Sequence, residues 1–202
     1  MKFINPQVDN DIKNGKLLNL DLGAGGFAGN GYFAVDHLPL EGVDILADLN
    51  QPLSLLPDDS VALVRSRHTF EHIQNLLPLM DELYRIVSRN GLIKIIVPHF
   101  SNVYAFSDPT HVRFFGLFTM YYFASLNNQP FKRKVPDFYT KSKFLILNVN
   151  IRFYKQSYFD KIIGKILYKL VNSSIPMQVF YERRLSQFFH ASEIEYNIAP
   201  DK

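Results

Sequence analysis

The chain has 202 residues and a net charge of +3, and with 47% hydrophobic and 20% charged residues it is not an intrinsically disordered chain. It contains no cysteine, which excludes disulfides, zinc–thiolate sites and thiol nucleophiles. The first residues lack the apolar stretch of a signal peptide, and no apolar run is long enough for a transmembrane helix, so we expect a cytoplasmic protein.

Short apolar segments bounded by turn residues predict the strands. In the first half of the chain they are Lys16–Leu22, Tyr32–Asp36, Val43–Asp48, Val61–Arg65 and Leu92–Val97. Such continuous apolar runs are typical of a parallel sheet that is covered on both faces. Two further strands are predicted at Phe144–Tyr154 and Ser192–Ile198, and these can pair with each other in antiparallel fashion.

The clearest predicted helix follows Asn75, because apolar side chains recur with helical spacing from Leu76 to Val87. Gly91 is predicted to end it in a left-handed conformation. Further helices are predicted around Phe114–Ala124 and over Phe159–Val171. Strands alternate with helices and no linker interrupts them, so we predict a single α/β domain over residues 1–202.

The most informative segment is a strand that runs into a glycine cluster, Leu20-Asp21-Leu22-Gly23-Ala24-Gly25-Gly26. Acids follow at the ends of the next two predicted strands, at Asp36 and Asp48. Because the carboxyl ends of parallel strands lie along one edge of a sheet, we expect these groups to share a ligand site. Asp36 can accept both hydroxyl protons of a ribose, and Asp48 can accept from an adenine amino group. The pattern indicates a nucleoside-containing ligand.

Two ligand classes fit this pattern. Residues Gly23–Ala28 match the dinucleotide fingerprint G-x-G-x-x-G/A, which favours NAD. Asp36, however, follows Gly23 by only 13 residues, which leaves no room for the helix whose N-terminus receives a pyrophosphate. Asp21 suits a ligand with an ammonium group. S-adenosylmethionine carries an ammonium, a ribose and an adenine, and it has no phosphate.

Over residues 17–98 the sequence resembles class I S-adenosylmethionine-dependent methyltransferases. The glycine segment is similar to motif I, Gly31–Asp36 and Val43–Leu49 to the next two motifs, and Arg67–Ile73 to the H-x-L-E-H segment after strand four. The likeness is to small bacterial enzymes, methyltransferase-11-like, that are often associated with cell-surface polysaccharide pathways. It implies a Rossmann-like, mostly parallel sheet of seven strands, with a shortened first crossover and an antiparallel C-terminal strand pair.

The resemblance implies that residues 1–100 bind S-adenosylmethionine and that residues 101–202 bind the methyl acceptor. The implied cofactor contacts are Asp21, Gly23, Ala24 and Gly25 at the amino-acid end, Asp36 with His37 at the ribose, and Asp48 with Leu49 at the adenine.

Four residues are candidates for the chemistry: His68, His99, Asp108 and His111. His68 and His99 follow predicted strands at the expected active edge, and Asp108-Pro109-Thr110-His111 is similar to segments of the same family. These groups can orient or deprotonate an acceptor hydroxyl, although Asp108 can equally begin a turn or cap a helix. His99, Asp108 and His111 also offer ligands that fit a zinc or iron site better than a magnesium site, but we assign no metal. Glu71 and His72 are predicted to form a buried hydrogen-bonded pair.

Positive charge is concentrated near the end of the sequence. Residues 131–202 contain 13 Lys and Arg against 6 Asp and Glu, whereas residues 1–130 contain 9 against 13. Within Phe159–Val171, an apolar helical stripe runs beside three lysines. These are Lys161, Lys165 and Lys169. This pattern predicts either a helix packed on the core or a helix that lies on an anionic membrane surface.

The sequence therefore predicts an enzyme that methylates an oxygen of a saccharide or another small molecule, with a lipid-linked acceptor compatible with the basic helix. The alternatives are an NAD-dependent oxidoreductase and a non-catalytic methyltransferase-like interaction module, whose signature would be a C-terminal segment folded over the cofactor pocket. The sequence has no RNA-binding module, so we expect no nucleic-acid partner. Membrane contact through residues 159–171 would be peripheral, at the inner face.

Overall fold

A computed structural model describes residues 1–202, with the side chain of Phe159 excepted. The strands are β1 (Lys2–Phe3), β2 (Leu18–Leu22), β3 (Phe33–Asp36), β4 (Ile45–Leu46), β5 (Val61–Arg67), β6 (Val87–Pro98), β7 (Phe144–Phe153) and β8 (Ala191–Pro200). The α-helices are α1 (Pro6–Lys13), α2 (Leu76–Ile86), α3 (Val103–Ser107), α4 (Tyr158–Val171) and α5 (Ile175–Phe180). Shorter helical turns lie at Phe70–His72, Thr119–Phe123, Leu126–Asn128 and Tyr181–Leu185.

All eight strands belong to one sheet, in the order β1-β4-β3-β2-β5-β6-β8-β7. The five strands from β4 to β6 in this order run parallel, while β8 and β7 form the antiparallel pair that the sequence predicts. The α/β class and the mostly parallel sheet are thus confirmed. The count of seven strands was one short, because β1 has only two residues and leaves no pattern in the sequence.

The carboxyl ends of the parallel strands share one edge of the sheet, as expected. β7 also ends at this edge and β8 begins there, since Phe153 pairs with Ala191 and Pro98 with Glu193. The first crossover is short: in the described chain no helix lies between β2 and β3. This arrangement places the glycine cluster, the loop after β5 and the start of β8 along the same edge.

Helix α2 confirms the predicted apolar stripe, since Leu79, Met80 and Leu83 are buried in the core with the apolar side chains of β2. Its predicted end at Gly91 was wrong. The helix ends at Ile86 and the chain enters β6 at once, so Gly91 lies inside a strand. A Cβ on Gly91 would come within 2.5 Å of the Val87 side chain, which explains the glycine by close packing rather than by a left-handed turn.

The predicted helix over Phe114–Ala124 is reduced to the single turn Thr119–Phe123. The reason lies in the spacing of the apolar residues. Phe115 and Leu117 are both fully buried, and side chains two positions apart cannot point into the core from one face of an α-helix. The segment therefore enters the core in extended form, with Phe115 bridging to His99.

The prediction of a sheet covered on both faces was wrong for its centre. Arg65 of β5, Lys94 of β6 and Asn197 of β8 stand side by side in register and are partly exposed. On the opposite face, Ile93 and Ile198 pair in register and are fully buried. The short connections after β2 and β3 contain no helix within the described residues, so they cannot cover the polar face.

Candidate functional site

The glycine cluster forms a tight, left-handed path at the end of β2. Gly23, Gly25 and Gly26 all have positive φ, between 61° and 84°, a conformation that glycine adopts without steric cost. A Cβ on Gly23 would lie 2.1 Å from the hydroxyl of Thr69, so this position is packed. A Cβ on Gly25 would meet no atom within 4 Å. The backbone at Gly25 is therefore open to a ligand, whereas Gly23 fixes the loop against the segment after β5.

Asp36 closes the glycine loop. Its carboxylate accepts hydrogen bonds from the backbone N–H of Gly25 at 2.9 Å and of Leu38 at 3.0 Å, and the side chain is largely buried. The exposed ring of His37 places Nδ1 3.2 Å from Asp36 Oδ1. Each carboxylate oxygen has a second lone pair, so Asp36 can still accept from a ligand hydroxyl beside the open backbone of Gly25.

Of the two predicted adenine contacts, Asp48 lies at the surface and Leu49 lies in the core. The exposed Asp48 accepts hydrogen bonds from the backbone and side-chain amides of Asn50, at 2.9 and 3.2 Å. Asn50 in turn accepts from the backbone N–H groups of Gln74 and Asn75, just before α2. The side chain of Leu49 is buried in the hydrophobic core, so only its backbone can face a ligand.

Asp21 does not face the glycine loop as predicted. Its carboxylate is 2.5 Å from the guanidinium of Arg65, and both line a groove on the polar face of the sheet. Arg65 also stacks over Tyr32, with its guanidinium carbon 4.1 Å from the ring centre. Residues two apart on a strand share a face, so Asp21 lies with Asn19 on the polar side of the sheet. The predicted contact between Asp21 and an ammonium group does not fit this placement.

A cavity of about 1310 Å³ opens beside this loop, at the carboxyl edge of β5 and β6. Three of the four predicted catalytic residues, His68, Asp108 and His111, line it, and none of the predicted cofactor contacts does. The two regions adjoin at Thr69, which follows His68 in the chain and whose hydroxyl donates to the Leu22 carbonyl at 3.1 Å. The edge of the sheet thus carries an open glycine loop next to a cavity.

His68 lines the cavity and has a backbone φ of 53°, an uncommon conformation for a residue with a side chain. Its Nε2 lies 2.8 Å from Glu193 Oε1, and its Nδ1 lies 3.4 Å from Glu71 Oε1. The hydrogen bond to Glu193 and the nearby Glu71 raise the pKa of His68 to about 9. His68 is therefore a cation at neutral pH, which does not fit its predicted role as a base.

Asp108 and His111 are joined by the turn that the Asp-Pro-Thr-His segment forms. Asp108 Oδ1 accepts from the backbone N–H of Thr110 at 2.8 Å and from its hydroxyl at 2.6 Å, and these bonds lower the pKa of Asp108. His111 donates from Nδ1 to the Ala105 carbonyl at 2.9 Å, so Nε2 carries the free lone pair. The predicted turn is confirmed, and Asp108 also lines the cavity, where its role toward an acceptor stays a prediction.

His99 lies outside the cavity. The ring is fully buried, with Nε2 3.1 Å from Glu182 and Nδ1 accepting from the backbone N–H of Ser101 at 3.1 Å. A buried imidazole with both nitrogens engaged cannot meet an acceptor, so its predicted catalytic role does not fit. The predicted pair of Glu71 and His72 was also partly wrong, since Glu71 is buried but His72 bonds to Thr110 instead.

Several lining residues had no signal in the sequence. Glu193 enters from the antiparallel strand β8, and Asn102 bonds to the Tyr154 hydroxyl at 2.6 Å. The further basic side chains that line the cavity are Arg67, Arg152, Lys155, Lys165 and Lys169. Two of these belong to the predicted lysine stripe of α4, which therefore faces the cavity rim. Among these basic residues, the sequence indicates proximity only for Lys165 and Lys169, through their helical spacing.

No protein-family profile and no curated protein sequence matches the chain. Solved structures are similar to it at low sequence identity. The S-adenosylmethionine-dependent methyltransferase from Archaeoglobus fulgidus is 16% identical, covering 97% of this chain and 92% of that one, with a TM-score of 0.46. The S-adenosylmethionine-dependent methyltransferase from Mesorhizobium loti is 13% identical, covering 91% and 90%, with a TM-score of 0.39.

The YcgJ protein from Bacillus subtilis is 16% identical, and the alignment covers 96% of this chain and 97% of that chain, with a TM-score of 0.51. The alignment thus spans nearly the whole of both chains. This likeness shows that the chain has the Rossmann-like α/β fold that its sequence resemblance predicts.

Proposed function

We propose that the protein is an S-adenosylmethionine-dependent methyltransferase. The observation that carries the proposal is the pairing of Gly25 with Asp36 at the carboxyl edge of the sheet. A cofactor can lie against the backbone of Gly25, where a Cβ would meet open space, while Asp36 accepts from its ribose hydroxyls. S-adenosylmethionine supplies an activated methyl group when bound.

The loop geometry favours this cofactor over NAD. A dinucleotide places its pyrophosphate at a helix N-terminus directly after the glycines. Between β2 and β3 the described backbone has turns but no helix, so no helix dipole is available there for a pyrophosphate. The cofactor we propose needs no such group, because it carries no phosphate.

We further propose that the acceptor is an oxygen of a saccharide or a related small molecule that carries negative charge. The cavity next to the loop is lined by five Lys or Arg side chains and three Glu or Asp side chains, so an anionic group meets complementary charge. Tyr104, Tyr154 and Tyr168 also line it and offer faces for a sugar ring. The residues of the chain would hold the acceptor in line with the methyl group, and Asp108, ionised at neutral pH, would accept a hydrogen bond from the acceptor hydroxyl and orient it.

Helix α4 supports a further proposal, that the protein contacts an anionic membrane surface peripherally. Ile162, Ile166 and Leu170 form a stripe on this helix and are 45% to 57% exposed. Val171 of the same helix is buried in the core and Leu167 packs against it, as one of the two sequence interpretations predicts, while these three side chains form a stripe that stays exposed. The lysines at every fourth position run beside it. Among the described residues, none of the helices combines the length and apolar character needed to span a bilayer.

The alternative of a non-catalytic interaction module receives less support. Its expected signature was a C-terminal segment over the cofactor pocket. Residues Ala191–Pro200 instead form strand β8, and the ammonium of Lys202 donates to the carbonyls of Arg85 and Val87. Val87 begins β6, at the edge of the sheet opposite the glycine loop.

Calorimetry with S-adenosylhomocysteine tests the central proposal. We expect one molecule to bind the wild type, and Asp36→Ala to bind at least tenfold more weakly. Asp9→Ala, which removes an exposed carboxylate from α1, is the matched control and should bind as the wild type does. Absence of binding to the wild type would overturn the proposal, and binding of NADH instead would favour the oxidoreductase. Equal binding by Asp36→Ala would remove only the ribose assignment.

A further inference from the structure

The floor of the cavity holds a carboxylate and two imidazoles in close contact. One ligand atom from each of Glu71, His72 and His111 lies within 4.8 Å of the other two. The rings of His72 and His111 meet edge to face, with their centres 4.8 Å apart. All three residues line the cavity, so the cluster is accessible to a ligand that enters there.

Glu71 is the unusual member of this cluster. Its side chain is buried, and neither carboxylate oxygen has a hydrogen-bond partner within the described part of the chain. The nearest donor, His68 Nδ1, stands 3.4 Å from Oε1, and His111 Nε2 stands 4.0 Å away. Burial of a carboxylate without hydrogen bonds is costly, and the ion pair with His68 at 3.4 Å offsets this cost only in part, so Glu71 can accept a further cationic partner at closer range.

The two histidines are held ready to coordinate. His111 donates from Nδ1 to the carbonyl of Ala105, which leaves Nε2 with a lone pair. The Thr110 hydroxyl donates to Asp108 at 2.6 Å, so it accepts from His72 Nδ1 at 2.9 Å and leaves the second nitrogen of His72 free. Such outer hydrogen bonds are the usual means of fixing the tautomer and the orientation of metal-binding histidines.

The backbone around the cluster is also fixed. The N–H of Val112 donates to the Glu71 carbonyl at 2.9 Å. The guanidinium of Arg113 donates to the carbonyls of Ile73 and Gln74, each at 2.9 Å. Two segments 40 residues apart are thus joined on either side of the three side chains, so the cluster does not depend on a loose loop.

We propose that Glu71, His72 and His111 bind a divalent first-row transition-metal ion at the floor of the cavity. Two imidazoles and one carboxylate are a ligand set for zinc, iron or cobalt rather than for magnesium, which prefers oxygen. Ligand atoms of a tetrahedral zinc ion lie about 3.4 Å apart, so the three side chains need to close by roughly 1 Å. Three protein ligands leave a coordination position open toward the cavity. Metal binding itself does not depend on the proposed methyltransferase function. The assignment of an acceptor oxygen to the open coordination position does rest on that function.

Zinc binding by the chelator-treated full-length protein tests the proposal directly. Calorimetry should show one Zn²⁺ bound per chain, Co²⁺ should give visible absorption bands of a low-coordinate site, and Mg²⁺ should not compete. Glu71→Gln and His111→Ala should each weaken Zn²⁺ binding by about 100-fold or more, and Thr110→Val by about tenfold. His190→Ala is the matched control, because its exposed ring bonds only to Gln187 in the described structure.

Stoichiometric binding that is lost in both ligand variants and kept in His190→Ala supports the site. Absence of Zn²⁺ binding to the wild type overturns it, as does equal binding by wild type, Glu71→Gln and His111→Ala. Circular dichroism of the same samples shows whether each variant is folded. S-adenosylhomocysteine binding is measured separately and distinguishes the two proposals, since a folded protein can bind the analogue and no metal, or the metal and no analogue.

Discussion

His68 Nε2 and Glu193 Oε1 lie 2.8 Å apart, although 125 residues separate them in the sequence. The contact reaches from the end of β5 across β6 to the start of β8. Arg67 adds a second bond to the same oxygen at 2.8 Å. The hydrogen bond from His68, opposed by burial and aided by the charge of Arg67, lowers the pKa of Glu193 to about 2. The Glu193 carboxylate thus links the end of β5 to the start of β8 beside the cavity.

This contact predicts how stability depends on pH. The pKa of His68 is raised from 6.5 to about 9, so the stabilisation from its protonated form is complete below about pH 6.5 and is lost as the pH rises through 9. The pKa of Glu193 is lowered from 4.5 to about 2, so its contribution is complete above about pH 4.5 and is lost as the pH falls through 2. Thermal unfolding of the chelator-treated protein should therefore show Glu193→Gln less stable than wild type at pH 6, with a smaller difference at pH 10.

Proton NMR of the same two proteins gives an independent measurement of that pair. The ring signals of His68 should titrate near pH 9 in the wild type and closer to 6.5 in Glu193→Gln. The exposed His190, whose surroundings are unchanged, serves as the internal reference. A wild-type His68 that titrates near 6.5 would contradict the ion pair.

A second prediction compares two glycines with the same backbone conformation. Gly25 and Gly15 have φ of 61° and 67°, and a Cβ on either would meet no atom within 4 Å. Alanine in this conformation costs roughly 1 kcal/mol, so both variants should lose about that much free energy of unfolding. Only Gly25→Ala places a methyl group on the proposed cofactor surface. Calorimetry should show that it binds S-adenosylhomocysteine at least tenfold more weakly, whereas Gly15→Ala binds normally.

The glycine loop and Asp36 were predictable because their signals are local. A buried run, a glycine cluster and an acid at the end of the next run are adjacent in the sequence, and parallel pairing brings such ends together. The Asp-Pro-Thr-His turn was predictable for the same reason, since Asp108 and Thr110 form it within three residues. Hydrogen bonds between residues that are close in the sequence depend little on the rest of the fold.

Other parts of the site depend on long-range packing. Alternating side chains on β8 predict a strand, but they do not reveal that it inserts between β6 and β7 and brings Glu193 to His68. The burial of His99 likewise depends on Glu182, which is 83 residues away. The predicted position of Asp21 was wrong because Asp21 lies on the polar face of the sheet. This face is exposed because no helix of the described chain connects β2 to β3 and covers it. Neither the contact of Glu193 with His68 nor that of Glu182 with His99 leaves a periodic pattern in the sequence.

A third prediction concerns the link between the two segments beside the cavity. Arg113 donates to the carbonyls of Ile73 and Gln74 and is half-buried. Arg113→Ala leaves both carbonyls without this donor and should lower the free energy of unfolding by about 1–3 kcal/mol. Arg89→Ala, at an exposed position of β6, should change it by less than about 0.5 kcal/mol. Chemical denaturation measures both, and equal stability of the two variants would show that the link is not stabilising.

The membrane proposal gives the fourth prediction, which rests on the exposed stripe of α4. Vesicles that contain phosphatidylserine should retain the protein at low salt, and pure phosphatidylcholine vesicles should retain much less, because the adjacent lysines require anionic lipid. Ile166→Asn removes roughly 1.4 kcal/mol of apolar transfer free energy, which corresponds to about tenfold weaker binding.

Leu77→Asn is the control for this measurement, since Leu77 is an exposed leucine on a different helix, α2. It should bind vesicles as the wild type does. High salt should release the wild type, because the Debye length falls to about 3 Å at 1 M and the lysines are then screened from the lipid charge. Equal retention of Ile166→Asn and wild type, or no retention on anionic vesicles at low salt, would exclude α4 as the membrane contact. The lysines that line the cavity would then act on the acceptor alone.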